Sequence, residues 1–152
     1  MSGKNVIIFE DNLVSNLNPL ALTRPAFELI CGMKPLWENI VKRFYPDAEI
    51  SFLCRDYLKD VLKQKVNAKI NDLSGIDSAL LINGRILAAF SELPPVDGDE
   101  VIGVQDGVIA CARLKGGNIS ALADAISDDT NQLIDKMNSL DVQKTEVQGM
   151  RF

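Results

Sequence analysis

The sequence predicts an α/β fold, a Rossmann-like three-layer sandwich whose mostly parallel sheet carries an added antiparallel hairpin. Three observations predict it. Uninterrupted apolar runs at residues 6–9 and 78–82 are typical of parallel strands that are covered on both faces. Segments with apolar residues at helical spacing separate the strand-like runs. Asp106-Gly107 lies between two further apolar runs, which indicates a tight hairpin.

The first half of the chain alternates strands with helices. The first strand, residues 6–9, leads through a polar loop to a helix that begins near Pro35, since proline is well tolerated in the first turn of a helix. Leu36, Ile40 and Phe44 recur at every fourth residue and predict an apolar stripe that faces the sheet. The remaining predicted elements of this half are a strand at 49–54, a helix at 56–65, a loop at 71–75 and a strand at 78–82.

The second half follows a proline-rich break at residues 94–99. Residues 100–104 and 108–114 are the predicted strands of the hairpin. Residues 120–140 have the apolar spacing of one helix, or of two helices if Asp128-Asp129 breaks the pattern. Residues 141–152 form a polar tail, so the expected organisation is a single domain over residues 1–152.

Composition and charge restrict the class of protein. The chain has 152 residues, of which 47% are hydrophobic and 24% are charged, as is typical of one globular domain. Its net charge of −5 argues against nucleic acid or an anionic membrane as a partner, because both need a basic surface. No apolar run approaches the roughly 20 residues of a membrane span, and no signal peptide is visible. We therefore expect a cytoplasmic protein.

The residues available for chemistry are also restricted. The sequence contains no histidine, which excludes Ser-His-Asp and Cys-His catalysis and histidine-ligated zinc. Cys31, Cys54 and Cys111 lack metal or redox spacing and predict buried, reduced thiols. Chemistry would have to use carboxylates, lysine, arginine and Mg²⁺.

The loop after the first strand presents a candidate phosphate-binding arginine. Pro19 and Pro25 enclose Thr23 and Arg24, and each proline restrains its own φ and the residue before it. A stiff loop with a guanidinium at the carboxyl end of a strand is suited to holding a phosphate. The alternative is an ion pair between Arg24 and Glu28 that only stiffens the loop.

Lys34 is the second candidate cation. It stands next to Pro35 at the start of a predicted helix, where the helix dipole disfavours a positive charge unless an anion lies nearby. The position therefore favours anion binding, and the alternative is a solvated lysine.

Two groups of polar residues follow predicted parallel strands. Ligands of open α/β sheets bind beyond the carboxyl ends of the strands, so these residues are candidates for substrate contacts. The carboxylates of the first group could bind Mg²⁺ or a nucleobase, or could cap the next turn, and the second group could be a plain Asn-Gly turn. The first group is Glu10, Asp11 and Asn12, and the second is Asn83, Gly84 and Arg85.

Taken together and in their order along the chain, five short segments between residues 7 and 85 resemble the amino-terminal signature of sugar-1-phosphate nucleotidyltransferases. The resemblance extends over most of residues 5–114 and is nearest to a divergent branch, the UDP-N-acetylglucosamine pyrophosphorylase-like proteins. The matching pieces are IIFED at 7–11, PLALTRP at 19–25, Glu28-Leu29 with Gly32, KPL at 34–36 and INGR at 82–85.

This chain departs from the family pattern in the phosphate-binding loop. Residues 10–16, EDNLVSN, replace a glycine-rich turn, so no glycine there lets the backbone approach a triphosphate closely. Asn16 and Ala26 stand where the family has an arginine and a lysine, which leaves Arg24 as the only cation of the loop. No metal-binding aspartate follows the third predicted strand.

The resemblance implies a nucleotide-diphospho-sugar transferase fold, here truncated or the amino-terminal part of a longer architecture. It implies that a sugar 1-phosphate attacks a nucleoside triphosphate with release of pyrophosphate, and that Mg²⁺ is the cofactor. Arg24 and Lys34 would be catalytic, and Thr23 and the two polar groups would bind substrate. The alternatives are a catalytically inactive nucleotide-binding, sugar-binding or assembly domain of the same fold, and an unrelated Rossmann-like domain. A truncated sheet would favour a homodimer.

Overall fold

A seven-stranded sheet runs through the computed structural model, which describes residues 4–152. Numbered along the chain, the strands are β1 (Asn5–Phe9), β2 (Ile30–Cys31), β3 (Lys34–Pro35), β4 (Glu49–Leu53), β5 (Lys69–Ile70), β6 (Ser78–Asn83), β7 (Val101–Gln105), β8 (Val108–Lys115) and β9 (Lys144–Glu146). The order across the main sheet is β5-β4-β1-β6-β8-β7-β9, and β2 and β3 form a separate antiparallel ribbon.

The main sheet is mostly parallel, as the sequence predicts. Strand β1 lies between β4 and β6 and runs parallel to both, with Ile8 beside Phe52 and Ile82. Strand β8 is antiparallel to both of its neighbours. Among residues 4–152, the other six strands of this sheet all run in the same direction. The carboxyl ends of β4, β1 and β6 therefore meet at one edge of the fold.

Helices cover both faces of the sheet, which confirms the three layers. They are α1 (Leu36–Phe44), α2 (Lys59–Lys63), α3 (Gly117–Leu122) and α4 (Thr130–Ser139). Because side chains alternate along a strand, Val6 and Ile8 pack on the face of α1 and α2, while Ile7 and Phe9 pack on the face of α3 and α4. The continuous apolar run of β1 thus contributes side chains to the hydrophobic cores on both faces of the sheet. None of these helices is long and apolar enough to cross a bilayer.

The predicted hairpin is confirmed at β7 and β8. Asp106 and Gly107 have φ values of 52° and 79°, as the two central residues of a type I′ turn require. The predicted break between helices is also confirmed. A 3-10 turn follows α3, and α4 begins after Asp129, whose carboxylate accepts a hydrogen bond from the backbone N–H of Asn131.

Some elements differ from the prediction. The helix expected at 56–65 begins as a 3-10 turn, Asp56–Leu58, and continues only as the short α2. Strands β2, β3 and β5 were not predicted, because two-residue strands have no periodicity of their own. The polar segment at 141–152 contributes β9 to the sheet, paired with β7. Cys31 is exposed, contrary to the prediction, while Cys54 and Cys111 are buried.

Candidate functional site

Acidic and basic side chains meet at the carboxyl ends of β4, β1 and β6. Glu10 and Asp11 follow β1, Asn83 ends β6, and Arg85 comes two residues later. Arg55 lies just beyond β4 and joins the same cluster. Parallel pairing brings these strand ends together, although up to 75 positions separate the residues along the chain.

Asp11 and Arg85 form a two-point ion pair. The guanidinium donates from Nε to Asp11 Oδ1 at 2.8 Å and from Nη2 to Asp11 Oδ2 at 2.5 Å. The carboxylate is almost fully buried, whereas the Arg85 side chain is 14% exposed and stacks on the ring of Phe152 at 4.9 Å. A planar guanidinium facing a carboxylate in this way is the strongest common type of charged hydrogen bond.

Asn83 links the end of β6 to its neighbours. Its Nδ2 donates to Asp11 Oδ2 at 2.8 Å and to the carbonyl of Ile109 at 3.0 Å, and its Oδ1 accepts from the backbone N–H of Arg85 at 3.0 Å. Asn83 is completely buried. Its amide therefore stabilises the turn after β6 and holds Asp11 in place.

Gly84 lies against the loop that precedes β2. A Cβ on this residue would lie 2.7 Å from Phe27 Cβ and 3.1 Å from the carbonyl oxygen of Phe9. Its own N–H donates to that same carbonyl at 2.8 Å. The structure therefore requires glycine here for a close approach between chain segments.

Glu10 and Arg55 form the second ion pair of the cluster. Arg55 Nε donates to Glu10 Oε2 at 2.9 Å, and both side chains are at least nine-tenths buried. The other carboxylate oxygen, Oε1, is buried and has no hydrogen-bond partner among the described residues. Sequence reasoning missed Arg55, although its place directly after the predicted second strand is the signal that singled out Glu10 and Asn83.

Burial raises the pKa of Glu10 from 4.5 to about 7, because the loss of hydration outweighs the attraction of Arg55. Asp11 adds a smaller repulsion that raises the pKa of Glu10 further. The carboxyl is therefore divided between its protonated and ionised forms near neutral pH.

Replacement of Glu10 by glutamine should remove a pH dependence of stability. Between about pH 4.5 and 7 the folded protein retains a proton that the unfolded chain releases, so Glu10 lowers the free energy of unfolding as the pH rises. Relative to Glu10→Gln, the parent should lose stability by on the order of 1 kcal/mol per pH unit in this window. Urea unfolding of both proteins at several pH values measures the difference. A constant difference between the two proteins would contradict this prediction.

Arg24 and Thr23 are exposed on the loop between Pro19 and Pro25. The Arg24 guanidinium has no hydrogen bond or ion pair with any residue that the structure describes. The alternative pairing with Glu28 is not formed, because Glu28 is buried and accepts a hydrogen bond from Trp37 Nε1 at 2.7 Å. Asn12 is likewise exposed, just beyond Asp11.

Lys34 lies apart from this cluster. It belongs to β3, and its Nζ is 3.5 Å from Glu38, which also pairs with Lys42 at 2.8 Å. Lys34, Lys42 and Arg43 line a cavity of about 630 Å³ beside the β2–β3 ribbon. No hydrogen bond or ion pair among residues 4–152 joins Lys34 to Arg24 or to the two buried ion pairs.

The side chains at this edge do not fit the Mg²⁺ that the family resemblance implies. In proteins Mg²⁺ is usually held by one or two carboxylates whose oxygens are free to bind it, together with substrate phosphates and water. Both oxygens of Asp11 accept hydrogen bonds, and one oxygen of Glu10 is paired with Arg55. Within residues 4–152, no three His, Cys, Asp or Glu side chains are grouped so that they could hold a metal ion. Guanidinium groups balance the two carboxylates instead.

Comparisons with known proteins agree with this fold. A family model described as sugar nucleotidyl transferase matches residues 6–148. Molybdopterin-guanine dinucleotide biosynthesis protein A from Archaeoglobus fulgidus is similar in structure, with a TM-score of 0.58 and 15% identity over 94% of this chain and 83% of that one. A UTP-bound UGPase from Acinetobacter baumannii has a TM-score of 0.55 and 12% identity over 97% of this chain and 87% of that one. No curated protein matches the sequence.

At these identities the two structures support the fold alone. The family model shows family membership as well as fold, because it spans nearly the whole chain, from the second residue of β1 to just beyond β9. The chain therefore belongs to the sugar nucleotidyl transferase family.

Proposed function

We propose that this domain joins a nucleoside triphosphate to a sugar 1-phosphate, releasing pyrophosphate and forming a nucleotide sugar. One observation carries the proposal. Arg24 presents an exposed guanidinium that pairs with no described residue, on the loop that follows β1, at the sheet edge where ligands of open α/β folds bind. The other two arginines of this edge, Arg55 and Arg85, are each paired with a carboxylate, so Arg24 is the cation that remains available to a phosphate.

Two further exposed residues, one next to Arg24 and one just after β1, complete the proposed site. Thr23 offers a hydroxyl and Asn12 offers an amide, and both groups suit phosphate, ribose or sugar hydroxyls. The buried pairs, Glu10 with Arg55 and Asp11 with Arg85, hold the strand ends beneath them. Lys34 is the second cation that the family resemblance assigns to phosphate, and its ion pair with Glu38 is partly exposed and therefore weak.

The proposal is tested by pyrophosphate release from combinations of nucleoside triphosphates and sugar 1-phosphates. UTP with N-acetylglucosamine 1-phosphate is included because the segments at 7–11 and 82–85 resemble that branch of the family. Arg24→Ala should lower the rate by about tenfold or more, because a charge-assisted hydrogen bond to phosphate is lost. Lys63→Ala, on the exposed face of α2, should leave the rate unchanged. Absence of activity with every combination would contradict the proposal.

A second candidate is a domain that binds nucleotide or sugar without turnover. It is favoured by the engagement of Asp11 with Arg85 and Asn83 and by the lack of glycine at residues 10–16. Calorimetric titration with UTP and with UDP-sugars distinguishes the two candidates. Binding that Arg24→Ala weakens, in a protein that releases no pyrophosphate, would support this second function and remove the first.

A further inference from the structure

We infer that Arg55 is a positioning residue, a buried guanidinium that fixes the backbone of the loop at residues 19–25 and so determines where Arg24 is presented. The inference deepens the proposed function and rests on it for the role of Arg24. Arg55 itself does not face the solvent, since only 7% of the residue is exposed.

The contacts of Arg55 reach the loop on both sides of Thr23. Its Nη2 donates to the carbonyl of Ala21 at 2.6 Å and to the carbonyl of Arg24 at 3.3 Å. Its Nε donates to Glu10 at 2.9 Å, which anchors the guanidinium at the end of β1. One planar group therefore connects the ends of two neighbouring strands to the loop.

Tyr57 extends the same network. Arg55 Nη1 donates to the Tyr57 hydroxyl at 2.8 Å, and that hydroxyl donates to the carbonyl of Leu22 at 3.0 Å. The backbone N–H of Tyr57 donates to the carboxylate of Asp128, near the start of α4. Carbonyl groups at positions 21, 22 and 24 thus all accept hydrogen bonds from this pair of side chains.

Apart from Arg55 and Tyr57, the loop is held by the packing of buried Ala21 in a small cluster and by short-range hydrogen bonds. Its own backbone bonds, from Ala21 N–H to Leu17 and from Leu22 N–H to Pro19, are local turns that do not attach it to the sheet. The prolines restrict φ within the loop but do not set its position relative to β1. Because a guanidinium has donors in a rigid fork, Arg55 can satisfy a carboxylate and two carbonyls at once, which a lysine ammonium cannot do in the same geometry.

The position of the loop matters because a phosphate-binding group acts through its geometry. A displacement of about 1 Å from the productive position can cost on the order of a hundredfold in rate. We therefore expect Arg55→Lys, which keeps the charge opposite Glu10, to loosen the loop and weaken anion binding without removing any group that contacts the anion.

Two measurements test the inference. Hydrogen exchange followed by mass spectrometry should show the hydrogen-bonded amides of Ala21 and Leu22 exchanging about tenfold or more faster in Arg55→Lys than in the parent. Calorimetric titration with inorganic tripolyphosphate should show binding about tenfold weaker in Arg55→Lys. In the Arg24→Ala background, adding Arg55→Lys should weaken binding no further, because Arg55 acts through Arg24. Arg113→Lys is the matched control, because the Arg113 guanidinium donates to backbone carbonyls of a different loop at residues 95–99, and it should change neither measurement.

Several results would overturn the inferred role of Arg55. Unchanged exchange at residues 19–25 in Arg55→Lys would overturn the inference, as would an equal loss of binding with and without Arg24. If Arg55→Lys fails to fold, Tyr57→Phe removes the bond to Leu22 at a half-exposed position, and faster exchange of the loop is again expected. Absence of tripolyphosphate binding by the parent would remove the proposed function, while the exchange data would still decide whether Arg55 holds the loop.

Discussion

Replacement of Arg85 by methionine is expected to destabilise the fold by about 3–5 kcal/mol, the usual cost of breaking a buried ion pair by removing one partner. Methionine keeps much of the apolar stem but leaves the Asp11 carboxylate without its cation. Asp11 is only 1% exposed, so water cannot replace the guanidinium there. The remaining donors, Asn83 Nδ2 and the backbone N–H of Leu13, are neutral. Urea unfolding at neutral pH measures the loss.

A double variant separates the effect of the unpaired Asp11 carboxylate from the loss of packing at residue 85. Asp11→Asn combined with Arg85→Met removes both charges and should be more stable than Arg85→Met alone. Lys42→Met serves as the control, because its ion pair with Glu38 is exposed and worth about 0–1 kcal/mol. If the double variant proved no more stable than Arg85→Met, the buried charge would not be the cause of the loss.

Replacement of Gly84 by alanine is expected to cost about 3 kcal/mol, the upper part of the range for forcing an extra carbon into a close-packed site. The added methyl group would meet Phe27 Cβ at 2.7 Å and the carbonyl oxygen of Phe9 at 3.1 Å. Neither neighbour can move freely, since Phe27 is fully buried and stacks on Phe52, and Phe9 lies in the central strand β1. Thermal or urea unfolding gives the change in stability.

Gly117 provides the matched control for this substitution. It lies at the start of α3, and a Cβ there would meet no atom within 4 Å. Gly117→Ala should be neutral or slightly stabilising, because alanine has the higher helix propensity. Similar losses for the two alanine variants would contradict the close packing inferred at Gly84.

The two buried ion pairs and the exposed loop have different expected roles. The polar atoms of Asn83 and Asp11 are engaged in hydrogen bonds to neighbouring residues of the protein. We therefore expect substitutions there to act mainly through stability. The Arg24 side chain is exposed and makes no hydrogen bond or ion pair with a described residue, so we expect Arg24→Ala to alter binding or turnover with little change in stability. Comparing stability with pyrophosphate release in each variant separates these roles.

Much of the fold could be predicted because its signals are local. The apolar run at β1, the fourfold spacing in α1 and Asp106-Gly107 between β7 and β8 each reflect a repeat or turn preference within a few residues. The short strands could not be predicted in this way. Strands β5 and β9 exist because β4 and β7 offer unpaired backbone groups beside them, and those partners are distant along the chain.

By itself, the sequence determined the α/β class, the alternation of its main elements and the polar residues that follow β1 and β6, because strand and helix periods and turn residues act over short distances. Only the tertiary structure decided how those polar residues are used. It paired Asp11 with Arg85 and Glu10 with Arg55, and left Arg24 facing solvent. Charges select their partners by proximity in space, and the parallel sheet brings together strand ends that lie far apart in the chain.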